Sequence, residues 1–238
     1  MIFGLITAAI ALYFPISQYL TFGKTRARLI ENPALKLGFY RETIVYLWAI
    51  TSCLALALWI NDVPLADLGL AISLDTPFLF VAGLLCLASV LLFRRKPVDD
   101  ESYEKHQLAY DHVRYILPDD EKQHRWMQAT SFTAGITEEF IFRAYMLWYF
   151  NQHMDMVFSI ILLNFLFCLC HVWSGPKNMF GSFVLGLFFS LIYFLSGSIL
   201  LAMLAHVLTD LYAGRIGFGL AEFERSRMRP ELANSIEC

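Results

Sequence analysis

The chain is predicted to be an all-α, multi-pass transmembrane helix bundle of about seven spans, and three observations predict it. Of its 238 residues 58% are hydrophobic and only 16% charged, with a mean hydropathy of +0.54, more apolar side chain than a soluble domain of this length uses. Several runs reach the roughly 20 apolar residues that a helix needs to cross a bilayer. The basic residues are confined to alternate connections between those runs.

The spans are expected at 1–22, 43–60, 77–93, 130–150, 155–174, 179–196 and 199–214. The first, MIFGLITAAIALYFPISQYL, lacks a basic leading region and is followed by Lys24, Arg26 and Arg28. That order reads as an uncleaved span with its start outside, and Pro15 is expected to kink it. The segment 61–76, NDVPLADLGLAISLDT, is a candidate re-entrant or interfacial element, which would make an eighth membrane element. The connection 94–129 carries charges of both signs. Within it Tyr103, Leu108, Val113, Ile116 and Leu117 form a loose helical pattern, read either as an interfacial helix or as a solvated connector. Pro118-Asp119-Asp120 ends that pattern.

All but one of the 18 Lys and Arg residues lie in 23–42, in 94–129, at Lys177 or after 214, and none lies in 61–76, 151–154 or 197–198. The positive-inside rule then places the N-terminus outside and the C-terminus in the cytoplasm. The expected organisation is 1–117 as three spans and a cytoplasmic connector, 118–214 as a core of four spans, and 215–238 as a cytoplasmic tail. Short loops and modest length favour a bacterial plasma membrane, with the lipid bilayer as a standing partner.

Nothing points to nucleic acid: the net charge is −3 and the basic residues hug the membrane ends. Of the five cysteines, Cys53, Cys86, Cys168 and Cys170 fall in expected spans and read as buried free thiols. Cys168 and Cys170 lack haem-attachment spacing with His171, and on a helix they face different ways. The SIEC ending at Cys238 does not place its cysteine fourth from the end, as prenylation requires.

The informative residues are polar ones where lipid is expected. TAGITEEFIFRAYMLWYF (133–150) places Glu138, Glu139 and Arg143 inside a span. With Asp210 they would cost on the order of 10 kcal/mol if left alone in hydrocarbon. Glu139 and Arg143 are four apart, and Arg143 leans back toward Glu139 in the manner of a structural ion pair. Glu138 is turned about 100° away and faces something else. Phe167 and His171 share a face of span five, with Asn164 deeper on it, and His206 and Asp210 share a face of span seven. Glu138, His171, His206 and Asp210 all fall in the cytoplasmic half of a core about 30 Å thick. Singly, an intramembrane histidine reads as a helix–helix hydrogen bond and a Glu–Arg pair as structural. Six such groups at matched spacing and depth read as a site. Gly181, Gly186 and Gly197 read as places of close helix approach or a tight turn.

Glu138-Glu139-x-x-x-Arg143, Phe167-x-x-x-His171 and His206-x-x-x-Asp210, in that order on successive helices, resemble the CAAX protease and bacteriocin-processing (CPBP) family of intramembrane proteases, which includes the Ras-converting prenyl-protein endopeptidases. The resemblance covers about residues 118–214. Spans one to three carry only a weak echo, LADLGL at 65–70. It implies a peptide-bond hydrolase acting on a membrane-associated peptide or protein. Glu138 with His171 would activate water, His206 with Asp210 would stabilise the oxyanion, and Glu139 and Arg143 would hold the site together. One departure is Asp210, where the prenyl-protein proteases usually carry Asn.

The chemistry is coherent, because amide hydrolysis needs an activated water and a stabilised oxyanion. A metal-free glutamate mechanism is favoured. A zinc site of Glu138, His171, His206 and Asp210 stays open as the alternative, although no H-E-x-x-H occurs. An ion-coupled transporter, expected to show inverted repeats that are not seen, and a non-catalytic scaffold or immunity protein are the readings from other classes.

Overall fold

The structure, a computed structural model, describes residues 2–70, 72, 74–94 and 98–236, with side chains at all of these but 173 and 228–236; Cys238 lies outside the described residues. Helix α1 (Ile2–Glu31) turns at Asn32 into α2 (Pro33–Ile60), followed by α3 (Thr76–Arg94) and the short α4 (Tyr103–Tyr110). Then come α5 (121–150), α6 (Met156–Leu169), α7 (Pro176–Ser196) and α8 (Ile199–Ile236). Among the described residues there is no strand. The architecture is a multi-pass all-α bundle.

Five of these helices are long and apolar enough to cross a membrane: α1, α2, α3, α7 and the Ile199–Arg227 part of α8. The two other predicted spans are present as helices of different character. α5 carries charged groups in its middle, and α6 has only 14 residues. Only 6% of the most apolar window of α3 is buried against protein, against 50% of that of α8. The helix α8 is therefore central, whereas α1 to α3 form an outer layer that exposes large apolar side chains such as Trp59, Phe80 and Leu91. In a chain built for lipid, that outward apolar surface is what solvates the fold. Cys53 and Cys86 are free but exposed on this outer layer, not buried as the sequence suggested, because those faces of α2 and α3 have no protein neighbour.

Several boundaries differ from expectation for local reasons. α1 continues through Pro15 as one helix to Glu31. A π-helical turn, Ala9–Tyr13, directly precedes the proline and widens the helix where its ring and missing N–H would disrupt a regular turn. Among the described residues, the segment after α2 contributes no helix long enough to span. Its 3₁₀ turn Leu65–Leu68 buries Leu68, and the Gly69 carbonyl accepts from the Ile199 N–H at 3.0 Å, so the segment docks on the start of α8. In the connector, Val113 and Leu117 are buried but Leu108 is exposed, because the chain passes from α-helix to 3₁₀-helix at Asp111 and the apolar spacing shifts. The connector packs on α8 beyond residue 214, through stacked Tyr103 and Phe223 and an Arg114–Glu224 ion pair at 2.9 Å. The expected tail is thus a continuation of the last helix.

α5 begins at an Asp120 cap, whose carboxylate accepts from the Gln123 N–H at 2.8 Å. It packs along α8. Gly135 permits the closest approach: a Cβ there would lie 2.5 Å from Val207 Cγ2 and 2.7 Å from the Val207 nitrogen. Gly135→Ala is expected to cost about 1–3 kcal/mol as overpacking. A lowered thermal midpoint in detergent micelles, absent from the open-space control Gly83→Ala, checks it.

Candidate active site

Three helices meet around one arginine. Arg143 and Glu139 are both fully buried, and Arg143 Nη1 donates to Glu139 Oε1 at 3.0 Å. Arg143 Nη2 donates to Asn164 Oδ1 of α6 at 2.7 Å and to the Gly186 carbonyl of α7 at 2.9 Å. The guanidinium lies 4.6 Å from the Phe167 ring centroid. Asn164 is fixed in turn, its amide donating to Ser190 Oγ at 3.0 Å and to the Ile160 carbonyl at 2.8 Å. Gly186 leaves the room this needs, since a Cβ there would collide with Asn164 Oδ1 and lie 2.8 Å from Arg143 Nη2. A π-helical turn, Phe140–Met146, begins immediately after Glu139 and carries Arg143. Such turns concentrate at functional positions and left no signature in the hydrophobic pattern.

Glu139 Oε1 also accepts from His206 Nδ1 of α8 at 2.8 Å. The His206 ring stacks on Phe189 at 4.6 Å, and its Nε2 lies 3.8 Å from Asp210 Oδ2. The Glu139–Arg143 pair therefore does more than neutralise a charge: it orients a histidine on another helix.

Glu138 faces away from this network. It is half-buried on the wall of a cavity of about 550 Å³, together with Cys170 and His171. The remaining wall comes mainly from α1 and α2, with Ile141 and Phe142 of α5. His171 does not continue α6 as its four-residue spacing from Phe167 suggested. The helix ends at Leu169, and Gly175, at φ +85, with Pro176 starts α7. The ring is held at the helix end instead, Nδ1 donating to the Phe167 carbonyl at 2.9 Å. In the neutral ring the lone pair is then on Nε2. Of the four residues singled out in the sequence, Glu138 and His171 line the cavity, whereas His206 and Asp210, 3.8 Å apart, belong to the network around Glu139.

Among the described residues no three His, Cys, Asp or Glu side chains come together as metal ligands. His206 Nδ1 donates to Glu139, which leaves Nε2 as the ring nitrogen open to a ligand, and Glu138 faces the cavity. The sequence also missed the cavity's far wall, where Arg28 and Glu42 lie on helices whose other residues give no sign of a site.

Fold and site together define a polytopic helical membrane protein built around a buried glutamate–histidine cluster. Residues 122–212 match the family described as Rce1-like, type II CAAX prenyl endopeptidase Rce1-like, a match that supports the CAAX protease (CPBP) resemblance. The matched segment runs from the first turn of α5 into α8 and contains Glu138, Glu139, Arg143, Asn164, Phe167, His171, His206 and Asp210. No curated protein and no solved structure matches the chain.

Removing the arginine would leave Glu139 buried without its countercharge. Arg143→Ala is expected to destabilise by about 3–5 kcal/mol, against less than about 1.5 kcal/mol for the volume-conserving Leu163→Met in the same core. Urea or SDS titration of the purified protein measures the difference.

Proposed function

We propose that the protein is an intramembrane endopeptidase that cleaves a membrane-associated peptide or protein with a water activated by Glu138 and His171. The observation that carries this reading is the different fate of two adjacent glutamates. Glu139 is locked by Arg143 and His206, whereas Glu138 lines the same cavity as His171, a cavity large enough for an extended peptide.

The steps follow from the groups present. A water held between the Glu138 carboxylate and His171 Nε2 gives its proton to that pair as its oxygen attacks the peptide carbonyl. His206, turned by its Nδ1–Glu139 bond, presents Nε2 on the Asp210 side. Protonated there, it donates to the tetrahedral oxyanion. Asp210 orients it. The proton taken up by Glu138 or His171 passes to the leaving amine as the C–N bond breaks. This route needs no metal ion. The positive-inside pattern supports a cytoplasmic C-terminus and a cytoplasmic end of the cavity near Asn32.

Purified protein reconstituted with membrane-anchored reporter peptides tests the reading. Glu138→Ala and His171→Ala are expected to lose about 10²–10⁴-fold in cleavage rate with an unchanged thermal midpoint. Equal cleavage by wild type and Glu138→Ala would end it. Asp210→Asn is expected to stay within about tenfold of wild type, because an amide can still orient His206 or donate to the oxyanion; complete loss would assign Asp210 a proton-transfer role instead.

A further inference from the structure

The cavity continues well beyond Glu138 and His171, between α1 and α2, and its walls change character along the way. At the Glu138 end α1 contributes Ile10 and Phe14. Ile10 packs in one apolar cluster with Ile141 and Phe142, and the Phe14 ring lies 5.2 Å from Tyr46 of α2. Toward the Asn32 turn the same stripe of α1 becomes Thr21, Thr25 and Arg28, opposite Glu42 and Thr43 of α2. Steps of three, four and seven keep residues 14, 21, 25 and 28 on one helix face.

At this end of the wall stand two charged side chains, Arg28 and Glu42. Lys36 is held by Asp119 and the Leu117 carbonyl, while Arg26 stacks on Tyr115 and Arg41 on Trp126. The Arg28 and Glu42 side chains, by contrast, make no hydrogen bond or ion pair among the described residues, and both are exposed to the cavity. Fourteen residues separate Phe14 from Arg28, about 21 Å along a helix. An extended peptide covers that distance in about six residues. Glu42 is one helical turn nearer the bend than Tyr46, so it lies between the Glu138 end and Arg28, where it disfavours an acidic residue at the intermediate positions.

We propose that Arg28 is an anion-reading specificity site of this cavity, which takes a carboxylate on an extended peptide arm about six residues from the cut bond. The inference rests on the peptidase reading for its register, but its charge selectivity stands on the cavity alone. A guanidinium offers a carboxylate two parallel N–H donors, and the Thr21 and Thr25 hydroxyls beside it can add a third. The carboxylate is either the peptide's own C-terminus or an Asp or Glu side chain.

The test uses the full-length protein in liposomes of zwitterionic lipid, with membrane-anchored peptides of randomised sequence whose cuts are mapped by mass spectrometry. Wild type is expected to favour an acidic over a basic residue about tenfold at a position about six residues from the cut. Arg28→Glu is expected to reverse that preference and Arg28→Lys to keep its sign. Lys24→Glu, the same charge change at the same membrane end but off the cavity wall, is expected to leave it alone. Free and amidated C-termini, compared with Glu and Gln at the selected position, tell the two sources of carboxylate apart. An unchanged profile in Arg28→Glu, or an equal change in Lys24→Glu, overturns the proposal. So does an effect that arises only in liposomes containing anionic lipid, which would make Arg28 a headgroup contact. Binding of the same peptides to the Glu138→Ala protein, followed by fluorescence anisotropy, separates this inference from the reaction. Charge-selective binding that Arg28→Glu reverses, with no cleavage by wild type, would sink the peptidase reading and keep the subsite.

Discussion

The Glu139–Arg143 pair is the constraint on which the core depends. Two full charges in the middle of an apolar bundle are tolerated only when each finds partners in fixed geometry. The two terminal nitrogens of the guanidinium donate to a carboxylate of its own helix, an amide of α6 and a carbonyl of α7, while Nε has no hydrogen-bond partner among the described residues. The demands on the neighbours follow. Position 186 must lack a side chain, Asn164 must be anchored by Ser190, and the Phe167 ring must lie against the cation. One helix pair would not satisfy this arginine, so the pair brings α5, α6 and α7 together, and His206 adds α8 through the same carboxylate oxygen.

Adjacent residues on a helix diverge by about 100°, and the fold uses that angle to give two neighbouring carboxylates different surroundings. Glu139 looks inward and is spent on Arg143 and His206; Glu138 looks toward α1 and α2 and opens on the cavity. The two histidines are arranged differently as well. His206 is held within a regular helix by a carboxylate, whereas His171 sits where α6 has ended, held by a backbone carbonyl. A helix end gives the ring a position that no residue of the helix interior could reach.

The family-matched segment supplies the cluster, and helices outside that segment supply the room around it. α1 and α2 meet at the Asn32 turn and at Phe14–Tyr46, and they enclose the cavity between them. α1 is also tied to the core at its other end, where the Tyr145 hydroxyl meets Thr7 and donates to the Phe3 carbonyl. The polar network and most of the cavity wall thus come from different parts of the chain.

The sequence by itself determined the helical class, the seven rods, the Glu139–Arg143 pair and the two faces of α5. Each of these depends on local periodicity or on the high cost of a charge in lipid, and both are written in residue order. It did not reveal the π turns at Ala9–Tyr13 and Phe140–Met146, the end of α6 before His171, or the bond from Glu139 to His206, 67 residues away. Nor did it mark Arg28 and Glu42 as cavity residues, since at the end of a span they look like ordinary interfacial charges. Only the tertiary structure decided these, because they depend on which helices touch and how closely. Close approach is set by side-chain volumes on several helices at once, as Gly135 against Val207 and Gly186 against Asn164 show, and no single stretch of sequence contains that information.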